Sequence, residues 1–324
     1  MKIKNFLNPQ YVAVLGASND KNKIGRIILD NILLTKKNGV FPVNLKEKKI
    51  AGLKTYQDVA KIPIKNFSEL LLVVSIPAKF VLAEIIKAAD LGVKNIVIIS
   101  AGFKEIGLEG IEIEKKISEI AQQKNMNILG PNCLGFINTI NNLNISFSGY
   151  LPDKNIKRKN NVAFLSQSGA IGSAVLNWLE NKNIGLSYFI SLGNKSNLNE
   201  NDFFDFFYQD KNSDLIIAYL EEISQGERFL EIVSKISKTK PVAILKAGRT
   251  SAGSKMAMSH TGSLAGSNEA TLTALKRSGA IILDNISQIY NLMRLVKGPL
   301  KIENDGLAII SNAGGPTVLA TDES

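Results

Sequence analysis

NVAFLSQSGAIGSAVLNWLENKNIGLSYFISLG, residues 161–193, reads as a strand, a small-residue turn, a helix and a second strand. NVAFLS (161–166) and LSYFISLG (186–193) are short, nearly continuous apolar runs, and a helical pattern lies between them at 170–182. A strand covered by helices on both faces has no solvent side, so it reads as an apolar run and not as an alternation. This unit therefore predicts a parallel sheet wound by helices. The pattern continues downstream through a helix near 202–209, LIIAYLE (215–221), a helix at 226–238, PVAILKAG (241–248) and a helix at about 268–278. Upstream, YVAVLG (11–16), GVFPVN (39–44), LLLVVS (70–75), NIVIIS (95–100) and MNILG (126–130) are the strands. Helices are expected over 24–36, 56–61, 79–91 and 110–124.

The fold class that follows is α/β. A Rossmann-like, doubly wound domain is expected over residues 1–140 and a flavodoxin-like domain with a parallel sheet over 141–300. The polar stretch NTINNLNISFSGYLPDKNIKRKNN (138–161) breaks the pattern and reads as a linker or a long excursion. GLAIISNAGGPTVLAT (306–321) predicts a strand, a glycine-rich turn and a helix start. A strand needs a sheet to join, so residues 301–324 are read as the start of a second flavodoxin-like domain, or as a segment that pairs with another chain.

Composition narrows the function classes. The 324 residues are 45% apolar, and no apolar run reaches 18 residues, so a membrane span is not expected. The single cysteine, Cys133, rules out an internal disulfide and fits a reducing, cytoplasmic setting. With one cysteine and one histidine, no metal site is expected. The net charge of +10 invites nucleic acid as a partner, but the lysines are dispersed and aromatics make up only 7%. No basic–aromatic stripe appears, and an anionic metabolite is the better match.

Chemistry gathers at the turns. The only histidine, His260, lies in SKMAMSHTGSLAGS among Ser259, Thr261, Gly262, Ser263 and Gly266. Imidazole carries a covalent group readily near neutral pH, and glycine-rich backbone presents N–H groups to an anion. In LSQSGA, Ser166, Gln167, Ser168 and Gly169 stand between strand and helix start, where the N–H groups of Gly169 and Ala170 and the helix dipole favour an anion. Ser168 as a plain helix cap is the compatible alternative. The turn GASNDKNKIG (16–25) is small and polar but lacks GxGxxG, which counts against a nicotinamide-dependent oxidoreductase. GPNCLG (130–135) reads as a structural bend, with no histidine nearby to activate Cys133. Glu221 and Glu222 close LIIAYLEE at the ligand end of a strand. Alternation sends them to opposite sides, so one of the two is the functional carboxylate.

Taken in order, GASNDKNKIG, FPVNLK, GPNCLG, LSQSGAIG, SLGNKS, YLEE, LKAGRTSAGSKMAMSHTGSLAGS and IISNAGGPTVLA resemble the nucleoside-diphosphate-forming acyl-CoA synthetases. Within that family, relatives of succinyl-CoA synthetase, the match is to the α part of the ADP-forming acetate–CoA ligases. The resemblance implies a CoA-binding first domain and a second domain whose histidine becomes phosphorylated. It implies His260 as the phosphohistidine and Glu221 as the carboxylate that orients it, with Glu222 as the second candidate. CoA would then meet Gly16, Ser18, Gly25 and Lys46 at its nucleotide end, Ser100, Ala101 and Gly102 along the pantetheine, and Asn132 at the thiol. Phosphate would rest on Ser166, Ser168, Gly169 and Ala170. An ATP-grasp β part would hold ADP or ATP with Mg²⁺, making a hetero-oligomer that acts on a small carboxylic acid or acyl-CoA and phosphate. The family has an acid soon after SLGN, whereas here Ser196 and Asn197 intervene and Glu200 is the first. A CoA-binding module without ligase activity is the rival, and the retained His260 segment speaks against it.

Overall fold

The computed structural model describes residues 2–150, 161–182, 184–250, 252–253, 268–295 and 308–323. In chain order the first part contains α1 (Lys2–Leu7), β1 (Tyr11–Leu15), α2 (Ile24–Thr35), β2 (Val40–Val43), β3 (Lys49–Ile50) and β4 (Leu53–Lys54). It continues with β5 (Leu70–Val74), α3 (Ala78–Asp90), β6 (Asn95–Ile98), α4 (Leu108–Gln123) and β7 (Asn127–Leu129). The second part contains β8 (Gly135–Asn138), β9 (Leu143–Ser146), β10 (Val162–Ser166), α5 (Gly169–Lys182), β11 (Leu186–Ser191), α6 (Glu200–Gln209) and β12 (Leu215–Leu220). After it come α7 (Gly226–Ser237), β13 (Val242–Lys246), α8 (Asn268–Arg277), β14 (Ile281–Ile282), α9 (Ile286–Leu295) and α10 (Gly314–Asp322).

Two sheets carry the molecule. The first has order β2-β1-β5-β6-β7 with every pairing parallel. The second has order β14-β13-β12-β10-β11-β8-β9, parallel from β14 to β11 and antiparallel at the β8–β9 hairpin. In the first sheet the chain starts at β1, adds β2 on one side and returns to build β5, β6 and β7 on the other. In the second the β8–β9 hairpin forms one edge. Its parallel part starts at β10, adds β11 on that side and returns to build β12, β13 and β14 on the other. The reversals fall between β1 and β5 and between β10 and β12. Ligand crevices of open α/β sheets lie at the carboxyl ends of the strands flanking such a reversal.

Strand residues alternate between cores as period-2 geometry requires. Val12, Val14, Leu71 and Val73 face one apolar cluster that continues through Phe136, Ile145, Ala163 and Leu165 of the second sheet. Ala13, Leu70, Leu72 and Val74 face the cluster under α3 and α4, and Val162 and Phe164 face the one under α5 and α9. The shared cluster fastens the two sheets together. Among the described residues no helix is long and apolar enough to cross a membrane.

Three expectations need correction. Residues 56–61 do not form an α-helix. Tyr56 bridges to Val43, and only a single 3-10 turn (Val59–Lys61) follows, with Asp58 accepting from the Ala60 N–H at 2.8 Å. Pro63 prevents continuation. The polar stretch from 138 is no linker as far as residue 150: it folds into the β8–β9 hairpin, whose strand residues are all buried. Its polar side chains are satisfied internally, with Asn144 Nδ2 donating to Tyr150 O at 2.9 Å and Ser146 Oγ to Asn144 Oδ1 at 2.6 Å. Asn31 of α2 also donates to the Ser146 and Ser148 carbonyls at 2.8 and 3.0 Å. The expected break at residue 140 thus falls inside a hairpin that belongs wholly to the second sheet. Finally, residues 308–313 form no strand. They join no sheet among the described residues, residues 306 and 307 lie outside those described, and α10 buries none of its residues.

Candidate functional site

A cavity of about 690 Å³ opens where the two reversal points meet. Its wall takes Ser75, Ile76, Ser100, Ala101, Lys104, Asn132 and Cys133 from the first part and Gln167, Ser168, Gly169, Ala170 and Glu221 from the second. Lys104 and Glu221 are the only charged side chains among the described lining residues.

The β10–α5 turn supplies the anion-facing edge. Ser168 Oγ accepts from the Ile171 N–H at 3.4 Å, the geometry of a helix cap, while the first N–H groups of α5 have no intrahelical partner and face the crevice. Ser168, Gly169 and Ala170 line the cavity. Ser166 is fully buried, and its Oγ donates to Ser168 O at 2.6 Å, so it shapes the turn from behind.

From the first part, Ser100, Ala101 and Asn132 reach the cavity, whereas Gly16, Ser18, Gly25, Lys46 and Gly102 are not among its lining residues. Ser100 Oγ donates to Ile76 O at 2.5 Å, and Asn132, with φ +58°, donates its backbone N–H to Ser100 O at 2.9 Å. Gly16 and Gly25 serve close packing. A Cβ on Gly16 would stand 2.2 Å from Ser75 O, and one on Gly25 2.2 Å from Gly16 O. Lys46 is exposed, held by its backbone N–H on Asn44 Oδ1 at 2.8 Å. Gly102 has φ +103°, and its N–H donates to Glu105 Oε1 at 2.7 Å. Cys133 is buried, and burial pushes its thiol up to about 12, which keeps it protonated and unreactive.

Glu221 and Glu222 part company in the turn just past the end of β12. Glu221 lines the cavity, two residues on from Tyr219. Burial first, then the Glu221 charge, raises that phenol to about 12. Glu222 turns away to Lys195 and Lys104, at 3.5 and 3.6 Å. Lys195 is in turn ion-paired to Glu200 at 3.0 Å, with both side chains almost wholly buried. That pairing gives the late acid after SLGN a structural place. His260 and the rest of 254–267 lie outside the described residues, so the expected pairing with Glu221 does too.

Reasoning from sequence missed Lys104, Gln167 and Asn194. Lys104 Nζ donates to Asn194 O at 2.8 Å. Asn194 Nδ2 donates to Glu105 Oε2 at 2.7 Å and Glu114 Oε2 at 2.9 Å, tying the two parts together beside the cavity. Gln167 Oε1 accepts from both the Glu221 and Glu222 N–H groups, at 2.9 and 3.2 Å. Gln167 was visible inside LSQSGA, but nothing local marks it as reaching a turn 54 residues away.

Residues 10–139 match the family model of a CoA binding domain, and residues 159–296 that of a succinyl-CoA ligase like flavodoxin domain. The chain is 41% identical over 319 residues to acetate–CoA ligase (ADP-forming) II subunit alpha of Pyrococcus furiosus, covering 98% of this chain and 67% of that one. It is 40% identical over 320 residues to acetate–CoA ligase (ADP-forming) I of Archaeoglobus fulgidus, covering 99% of this chain and 45% of the relative. A solved structure of acetyl-coenzyme A synthetase 1 from Ca. Korarchaeum cryptofilum, in complex with phosphate and ADP, superposes with a TM-score of 0.89 at 37% identity. That match covers 99% of this chain and 68% of the other. The chain thus spans about two thirds of the separate α subunit and under half of the longer relative.

Proposed function

The chain belongs to the NDP-forming acyl-CoA synthetases, with the α subunits of the ADP-forming acetate–CoA ligases, and on that premise we propose that it performs the acyl and first phosphoryl transfers of such a ligase. The overall reaction is acyl-CoA + phosphate + ADP to carboxylate + CoA + ATP, and it is reversible. Phosphate oxygen attacks the thioester carbonyl and the C–S bond breaks, releasing CoA thiolate and leaving an acyl phosphate. An imidazole nitrogen of His260 then takes the phosphoryl group as the carboxylate leaves. The phosphoryl group finally passes to ADP on an ATP-grasp β part, where bound Mg²⁺ would supply neutralisation of the phosphate charge. The histidine divides one crowded step into transfers at separate places.

The observation that carries this reading is the shared cavity, which brings the expected thiol-end residue Asn132, the expected phosphate cradle at Ser168–Ala170 and the expected orienting carboxylate Glu221 to one wall. N–H groups at the start of α5 stabilise phosphate charge without having to reorganise. Glu221 accepts from the imidazole N–H of His260 and leaves the other nitrogen nucleophilic. CoA lies along the first part, its nucleotide end near Gly16, Ser18, Gly25 and Lys46 and its pantetheine past Ser100–Gly102. The close packing at Gly16 and Gly25 supports a role for these two in shaping the turn more than in touching CoA. The assembly is a cytoplasmic hetero-oligomer of this α part with its β part.

The test is labelling with [γ-³²P]ATP and Mg²⁺ in the presence of candidate ATP-grasp β parts. Acid-labile, base-stable label on this chain, absent from His260→Ala, is the expected result. CoA binding without label from any β part would reduce the chain to a CoA-binding module.

A further inference from the structure

The four-residue turn Glu221–Ser224 is held almost entirely by side chains from elsewhere. Gln167 Oε1 accepts from the N–H groups of Glu221 and Glu222. Lys246 Nζ donates to Glu221 O at 2.6 Å, and Lys195 Nζ donates to Glu222 O at 3.1 Å. Glu200 Oε1 accepts from the Ser224 N–H, and Asn201 Nδ2 donates to Ser224 O at 2.7 Å. Six backbone groups are thus satisfied by five side chains drawn from three other segments. Lys246, Glu200, Asn201 and Gln167 are all under 9% exposed, and the Lys195 side chain is 1% exposed.

Such a frame is costly. Burying charged groups carries a desolvation penalty that apolar packing of the same volume avoids. A turn after a strand needs no buried lysines to close. What distinguishes this turn is its first residue, Glu221, the one carboxylate among the described lining residues of the cavity. We infer that Lys246 and Lys195 are positioning residues, which fix the carbonyls of Glu221 and Glu222 and so aim the Glu221 carboxylate. Neither lysine is among the described lining residues of the cavity. The inference rests on the proposed role of Glu221 in phosphoryl transfer.

The experiment uses the full chain and acetyl [³²P]phosphate, with the labelling rate resolved into a maximal rate and a half-saturating concentration. Lys246→Met is the first variant because both hydrogen bonds it removes go to carbonyl oxygens, leaving no stranded carboxylate. Lys195→Met is the second, and Lys195→Arg replaces whichever of the two folds poorly. Small displacements at a reacting centre cost up to about 10²-fold. A fall in maximal rate of about 10- to 100-fold is therefore expected, with half-saturation unchanged. In a Glu221→Gln background the lysine changes should cost nothing further, since they act through the missing carboxylate. A wild-type maximal rate, or losses that multiply fully with Glu221→Gln, would overturn the inference. If the wild-type chain takes no label, the functional reading fails, and crystal structures of Lys246→Met and the wild type decide the inference separately. An unmoved Glu221 carboxylate in the variant counts against positioning, and a displaced one supports it.

Discussion

The turn after β1 and the turn after β10 occupy equivalent places at the heads of their sheets, and both are rich in small residues, yet they use those residues differently. In the first, Gly16 and Gly25 press the chain against itself, and any Cβ there meets a backbone oxygen at 2.2 Å. In the second, Gly169 has only Leu134 Cβ near it, at 3.9 Å, an ordinary contact. The first turn is closed by packing. The second leaves its helix start open to the cavity. A small residue at a strand–helix turn is therefore not in itself a sign of ligand approach, and the space its missing side chain leaves tells the two cases apart.

Alanine substitution separates the turns most directly. Gly16→Ala adds a methyl group against Ser75 O at φ +97° and is expected to cost about 3 kcal/mol, read as a lower urea midpoint. Gly169→Ala should change stability by no more than about 0.5 kcal/mol while weakening phosphate binding measured by calorimetry. Equal stability losses at the two sites would end the distinction between a closed and an open turn.

The neighbouring carboxylates sharpen the same contrast on the side of the open turn. Glu221→Gln is expected to slow phosphoryl labelling by about 10²-fold with little change in melting temperature. Glu222→Gln instead loosens the contacts to Lys195 and Lys104 at 3.5 and 3.6 Å, and its cost should be about 1 kcal/mol of stability, with the rate close to wild type. An inverted pattern would assign the chemistry to the wrong neighbour.

Cys133 provides the smallest test, on the cavity wall contributed by the first part. Its thiol ionises near 9 when unfolded and at about 12 when folded. Between those values the unfolded state releases a proton that the folded state keeps. Stability therefore falls as pH rises through this window and is unaffected by this group below it. The slope approaches about 1.4 kcal/mol per pH unit, and Cys133→Ala should remove that contribution from alkaline urea titrations. An unchanged slope would mean that the thiol is ionised, and the wall correspondingly less passive than its burial implies.

Legibility followed burial. The central strands were readable because runs such as LLLVV and VAFL are buried on both faces, and only such runs omit polar residues over their length. The β8–β9 hairpin was not, because Asn138, Asn144 and Ser146 look like loop residues until their hydrogen bonds are seen. The helix expected at 56–61 failed because periodicity over six residues is weaker than one aspartate cap and one proline.

By itself the sequence determined the parallel strands of the two sheets, the turns at Ser168–Ala170 and Glu221, and the family, because each is written in contiguous residues whose spacing carries the information. Tertiary structure alone decided which small residues pack and which open, and that Ser166 faces inward. It also assigned Glu222 to Lys195 and Lys104, and the turn beside it to a frame of side chains from three distant segments. Those outcomes depend on which segments meet at the two strand-order reversals, and hydrogen bonds across more than 50 residues leave no local trace in the chain.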